Sequence, residues 1–220
     1  MTKKAFIFDL DGVIVDTAKY HFLAWKKLAK SIGVDFTETQ NEQLKGVSRV
    51  KSLEKILAWA NKSISEDEFI KLMALKNEDY LTHIDKMTAQ EILPDVIKTL
   101  DFLRDAKQHI ALGSASKNAR MILEKVNILE KFDILVDGND VTKGKPDPQG
   151  FLIAAQKLEI APKNCIVFED AVAGIQAANT AGMVSIGIGE KKTLHEADYV
   201  FKDFTEISKD FLNELINSTT

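Results

Sequence analysis

The sequence predicts an α/β fold, a Rossmann-like parallel sheet with an inserted helical segment, and three observations predict it. Short apolar runs recur, AFIFD, HIALGS, DILVDG, CIVFED and MVSIGIG, and most are followed by a turn and then a helical pattern. A long stretch between the first run and the second, residues 10–108, holds no convincing strand and reads as helices. Three of the runs end in polar groups, which is where open α/β sheets gather ligands.

Taken in order, AFIFD is continuous in apolar residues, as a strand buried on both faces must be. KYHFLAWKKLAKSIG then places Phe22, Trp25, Leu28, Ala29 and Ile32 near helical spacing and stops at Gly33. Ser65, Glu66, Asp67 and Glu68 form a capping-box pattern ahead of the apolar positions Phe69, Leu72, Met73, Tyr80 and Ile84. Residues 16–87 are therefore expected to form a helical insertion, joined to the core by short crossings near 15–17 and 85–90. Beyond it, Pro94 suits the first turn of a helix carrying Val96, Ile97, Leu100 and Leu103. Asp147 and Pro148 read as an N-cap followed by proline at the first helical position.

The chain has 220 residues, of which 45% are hydrophobic and 28% charged, enough for one ample core or two small ones. A net charge of −4 without a dense Lys/Arg block argues against nucleic acid or an anionic membrane as partner. Asp9 and Asp11 interrupt any N-terminal signal or membrane span, so a cytoplasmic protein is expected. The single cysteine, Cys165, rules out an internal disulfide and reads as a small core residue. With no sign of an assembly interface, a monomer is expected.

The chemistry sits at the strand ends. In an extended strand Asp9 and Asp11 would point to the same side, and like charges so close raise a pKa or recruit a cation. The second run ends in Ser114, Ala115, Ser116, Lys117 and Asn118, hydroxyls and backbone N–H groups that open a helix and suit an anion. CIVFED ends in Glu169 and Asp170. Four carboxylates converging on one edge call for a hard divalent cation, and oxygen ligands select Mg²⁺ over zinc or copper. Lys145, ahead of Pro146, supplies a point charge for phosphate, and the proline suits a cis turn. Singly, each feature is common punctuation; their order along the strand ends is what ordinary capping seldom assembles. Together they read as a metal-assisted phosphoryl-transfer site.

With those residues in view, the chain resembles the phosphotransferases of the haloacid dehalogenase superfamily. The likeness rests on D-x-D-G-V-x-x-D-T at 9–17, the strand-end Ser114, Lys145 before a proline and the pair Glu169 and Asp170, and it spans the whole chain. Tyr20, His21, Phe22, Trp25, the stretch NEQLKGVSR at 41–49 and Ser114–Asn118 are similar to the sugar-phosphate mutase branch. The resemblance implies a catalytic core of residues 1–15 and 88–220 with a cap of 16–87. It implies that Asp9 is the nucleophile forming an aspartyl phosphate and Asp11 the general acid/base. Mg²⁺ would be held by Asp9, the backbone carbonyl of Asp11, Glu169 and Asp170, with Ser114 and Lys145 on the transferring group. Arg49, Ser116, Lys117 and Asn118 would take a second phosphate, beside Ala115. Gly46 and Val47 would bring the cap backbone to the sugar, while His21 and Lys76 link substrate binding to Asp11. The implied activity is reversible conversion of β-D-glucose 1-phosphate and β-D-glucose 6-phosphate, primed by β-glucose 1,6-bisphosphate. A sugar-phosphate phosphatase is the nearest alternative, and a catalytically silent sugar-phosphate sensor a more distant one.

Overall fold

The computed structural model of the protein describes residues 3–218. A six-stranded parallel sheet has the order β3-β2-β1-β4-β5-β6. Its strands are β1 (Ala5–Phe8), β2 (His109–Gly113), β3 (Ile134–Val136), β4 (Cys165–Glu169), β5 (Val184–Ile188) and β6 (Tyr199–Phe201). The chain steps outward on one side through β2 and β3, then crosses to the other side for β4 to β6. The reversal falls between β1 and β4, at the centre of the sheet.

Side chains alternate across this sheet with period two, which divides the core. Phe6 and Phe8 are in register with Ile110 and Leu112 of β2 and with Ile166 and Phe168 of β4, all on one face. The rings of Phe8 and Phe168 stack at 4.6 Å, a pair worth about 0.5–1.5 kcal/mol beyond its buried area. Ala5, Ile7, Ala111, Cys165 and Val167 line the other face, against Phe151, Ala154, Ala177 and Ala178. The Cys165 thiol is fully buried and pushed up to about 11 by burial, so it is a packing residue as the sequence suggests.

Between β1 and β2 come α1 (Ala18–Ser31), α2 (Glu38–Glu42), α3 (Arg49–Trp59) and α4 (Glu66–Ile84). Trp25, Leu28, Phe36, Leu44, Leu53, Ile56 and Leu72 give this insertion a third apolar cluster of its own. α1 ends where expected, with Ile32 as its C-cap just ahead of Gly33. Ser65 caps α4 by accepting from the Glu68 N–H, and Glu66, Asp67 and Glu68 face the positive helix end. The reciprocal capping box forms elsewhere, between Thr37 and Gln40. The two crossings lie side by side: Asp16 N–H donates to Glu91 O and Leu93 N–H to Ile14 O, each at 3.0 Å.

The remaining helices are α5 (Val96–Asp105), α6 (Ala119–Lys125), α7 (Gln149–Lys157), α8 (Val172–Thr180) and α9 (Lys209–Asn217). Two proline readings shift. Pro94 lies two residues ahead of α5, in a turn that Asp95 closes with a left-handed φ of 56°. Pro148 occupies the N-cap of α7 rather than its first helical position, because the Asp147 carboxylate accepts the Gln149 N–H and draws the turn one residue downstream. The edge strand β6 was not anticipated; with only three residues, its first exposed, it has no apolar alternation to read. No helix among the described residues is long and apolar enough to cross a membrane.

Candidate active site

The three central strands, β2, β1 and β4, deliver the chemistry to one edge. Asp9 follows β1, its N–H held by Phe168 O at 3.0 Å; Ser114 follows β2, its N–H held by Val136 O at 3.0 Å; Glu169 ends β4. Ladder bonding thus continues one step past each apolar run and fixes where its polar residue begins. One carboxylate oxygen each of Asp9, Glu169 and Asp170 lies within 4.8 Å of the others.

Asp11 does not join that group through its side chain, so three carboxylates converge there rather than four. The strand ends at Phe8, and a turn in which Ile14 N–H donates to Leu10 O carries Asp11 away from strand alternation. Its carboxylate instead accepts the Thr17 hydroxyl and faces His21 Nε2 at 3.8 Å. Burial, with Asp9 beside it, still raises Asp11 to about 6.

Lys145 forms the base of the site. Its ammonium donates to Asp9 Oδ1 at 2.5 Å and to Glu169 Oε1, and Lys145–Pro146 is cis, as the sequence suggested. Burial disfavours that charge, yet the two carboxylates outweigh it and the pKa is raised. Glu169 is fully buried, also accepts the Ala171 N–H at 3.0 Å, and is raised to about 7 by burial. Asp170 is raised well above its ordinary value by burial and by Glu169 and Asp9. Lys145, with Lys45 reaching Asp170 from 3.8 Å, does not neutralise three carboxylates, and an oxygen-only set of this kind fits a hard divalent cation such as Mg²⁺. Asp9, Glu169 and Asp170 are the side chains that would hold it.

A cavity of about 880 Å³ opens above these groups, between the sheet edge and the insertion. Asp9, Asp11, His21, Gly46, Val47, Arg49, Lys76, Ala115, Ser116, Lys117, Asn118 and Asp170 line it. Ser114, Lys145 and Glu169 stand behind that wall, 5, 8 and 0% exposed. Arg49 is the first residue of α3, after the N-cap Ser48. Gly46 has φ +69, and a Cβ there would stand 3.0 Å from Ala171 Cβ, so the loop approaches the side chain of the core residue after Asp170 tightly.

The buried stripe of α4 runs Leu72, Lys76, Tyr80, Ile84, at four-residue spacing. Lys76 is thereby held 2% exposed, its ammonium over the rings of Trp25 at 4.9 Å and Tyr80 at 4.5 Å. It lies 2.9 Å from His21 Nδ1. An ammonium only donates, so while Lys76 is charged Nδ1 accepts and the ring proton sits on Nε2, facing Asp11. His21 is lowered well below its ordinary value by burial, then by Lys76 and Arg49. Lys76 is lowered to about 7 by burial and by Arg49.

That depression carries a sign. Between pH 7 and the ordinary lysine value of 10.5 the unfolded chain holds a proton that the folded chain has released, so stability rises with pH across this window. Below pH 7 the full cost of the buried charge is present, on the order of a few kcal/mol. Lys76→Met is expected to raise the Tm, most at pH 6 and least near pH 10; thermal melts of both proteins across that range measure it.

Sequence reasoning missed several contributors. Lys45 reaches from the insertion to Asp170 at 3.8 Å, and Asn77 Oδ1 accepts from Asn118 Nδ2 at 3.0 Å. Lys45 lies within the stretch NEQLKGVSR but the resemblance implies no role for it there, and Asn77 has no pattern that singles it out among solvated neighbours. Gly174, inside α8, lies where a Cβ would collide with the Glu169 carboxylate. A glycine costs a helix interior about 1 kcal/mol, so its presence there is a signal in the sequence itself. Gly174→Ala is expected to displace Glu169 and raise the Mg²⁺ concentration needed for half-maximal activity by about 10–100-fold, read from a metal titration.

Sheet order, strand-end carboxylates and buried lysine define a phosphotransferase-type α/β enzyme site, and a family comparison agrees. Residues 3–182 match the haloacid dehalogenase-like hydrolase model, and the chain belongs to that family. Among relatives it is 43% identical to a β-phosphoglucomutase of Bacillus subtilis over 213 residues, 96% of this chain and 94% of the relative. The solved structure of a β-phosphoglucomutase from Clostridium difficile superposes with a TM-score of 0.94 at 42% identity, covering 98% of each chain. A phosphorylated carbohydrates phosphatase of Thermotoga maritima is 28% identical over 204 residues, 90% of this chain and 92% of the relative. The mutase branch that the insertion stretches resemble is thus the β-phosphoglucomutases.

Proposed function

We propose that the chain interconverts β-D-glucose 1-phosphate and β-D-glucose 6-phosphate, with β-glucose 1,6-bisphosphate as primer and intermediate. One observation carries this reading beyond the family: a single cavity is lined by the carboxylates Asp9 and Asp11 and also by the cations Arg49 and Lys117. A reaction that moves phosphate between two ends of one sugar needs a reacting site and a holding site at once.

In this scheme an Asp9 carboxylate oxygen attacks phosphorus of the bisphosphate and the bond from phosphorus to the sugar oxygen breaks. Asp11 gives its proton to that departing oxygen. That monophosphate leaves as product, and a fresh β-glucose 1-phosphate attacks the aspartyl phosphate through its 6-hydroxyl, giving that proton to Asp11 as the bond from phosphorus to Asp9 breaks; the bisphosphate so formed turns about to present its other phosphate to Asp9. When bound, Mg²⁺ neutralises charge on the transferring oxygens. Lys145 and the Ser114 hydroxyl steady the same group, and Asp11 also offers its backbone carbonyl to the metal site. Arg49, whose fork suits two hydrogen bonds, grips the other phosphate with Ser116, Lys117 and Asn118. Residues 16–87 act as a cap hinged where 14–16 run beside 91–93, and its closure keeps water from the acyl phosphate. We take the enzyme to act as a cytoplasmic monomer.

The test supplies β-glucose 1-phosphate, Mg²⁺ and the bisphosphate and follows both products. Glucose 6-phosphate formation, with the α anomer left unconverted, is the expected result. Release of inorganic phosphate without glucose 6-phosphate would make the chain a sugar-phosphate phosphatase, the activity named for the Thermotoga relative. Bisphosphate binding without either product would leave a sensor.

A further inference from the structure

We propose that Tyr80 is a positioning residue for Asp11, acting through the Thr17 hydroxyl; this rests on the reading of Asp11 as the group that handles the sugar proton. Tyr80 is 1% exposed, and its hydroxyl is buried without a hydrogen-bond partner among the described residues. Such a hydroxyl is destabilising, whereas phenylalanine would fill the same space without that cost. The ring alone accounts for the neighbours it touches: the Lys76 ammonium over its face at 4.5 Å and the His21 ring at 4.3 Å. Phenylalanine would keep both. Only the oxygen distinguishes tyrosine at this position, and it is held at a structural loss on the wall of the reacting cavity.

The groups acting on that oxygen say what it is for. Burial and the Asp11 carboxylate disfavour loss of its proton, while Thr17, then Arg49, favour it, and Tyr20 adds to the first effect. Thr17 already donates its one proton to Asp11. Its lone pairs are left to accept, and the unpartnered O–H of Tyr80 is a buried donor able to supply them. A small rotation completes the line from Tyr80 to Thr17 to Asp11, fixing the Thr17 rotor so that its proton stays aimed at the carboxylate. Hydrogen bonds in series also strengthen one another in a buried setting.

The experiment uses the full chain with Mg²⁺ and the Tyr80→Phe variant. The expected result is an unchanged or higher Tm, an unchanged KM for β-glucose 1-phosphate, and a mutase kcat lowered about 10-fold, a share of the 10²–10⁴ that an acid/base supplies. Phosphorylation of Asp9 by an aryl phosphate with an acidic leaving group should proceed at the parent rate, because its departing phenolate needs no proton. Thr17→Val should show the same split, and the double variant should lose no more than either single one. Unchanged mutase kcat in Tyr80→Phe would overturn the proposal, as would an equal loss with both phosphoryl donors, which would place the damage at the phosphoryl site. Full mutase activity in Asp11→Asn would instead remove the parent reading. Loss in Asp11→Asn alongside normal turnover in Tyr80→Phe would remove only this inference.

Discussion

Asp9→Asn is expected to abolish mutase turnover, on the order of 10⁴-fold or more, and with it any covalent phosphate on the protein. The amide keeps the shape of the carboxylate but has no anionic oxygen to attack phosphorus. Folding should survive the change. Asp9 is 4% exposed at the end of a fully buried strand, and Lys145 retains Glu169 as its partner when the Asp9 charge is lost. Rate, Tm and a phosphoprotein assay on one preparation separate the outcomes: a folded, inactive and unlabelled variant is the expected result. Measurable turnover at the parent rate would take Asp9 out of the reaction.

Asp11→Asn has the second largest expected effect, a fall of about 10²–10⁴-fold in mutase kcat. An amide oxygen still accepts the Thr17 hydroxyl, so the local turn should hold, but no proton is available for the sugar oxygen. The loss should therefore depend on the leaving group. Glucose bisphosphate needs a proton as its oxygen departs, whereas an aryl phosphate does not, and Asp9 should still be phosphorylated by the latter at close to the parent rate. A uniform loss with both donors would mean that Asp11 supports the phosphoryl site itself. Its position supports the selective result: the carboxylate has turned from the Asp9, Glu169 and Asp170 group toward the insertion and the cavity.

The readable parts of this molecule were those in which one residue type solves one problem. Continuous apolar runs marked β1, β2 and β4 because a parallel sheet covered on both faces leaves nothing else to place there. The polar residues that follow those runs stood out against that background, and Lys145 before proline did so within its loop. Harder to read were features set by the path of the chain between elements. Asp11 looked like a partner of Asp9 by strand alternation, but the strand stops at Phe8 and the turn rotates it toward Thr17. Pro94 and Pro148 were placed within two residues, since the Asp147 carboxylate satisfies the Gln149 N–H as a cap would, while Asp95 turns the chain into α5 through its left-handed φ. Tyr80 read as one more apolar position on α4. Its four-residue spacing from Lys76 placed both on the buried stripe, and only the packed structure reveals that a polar atom was buried with them.

The most direct test of the account is to quench the enzyme during turnover with Mg²⁺ and labelled β-glucose 1,6-bisphosphate, digest it at acidic pH and locate the label by peptide mass spectrometry. The account predicts an acid-stable, base-labile phosphate on the peptide containing Asp9 and on that residue. Label on another side chain, or a protein that turns over without ever carrying label, would contradict it.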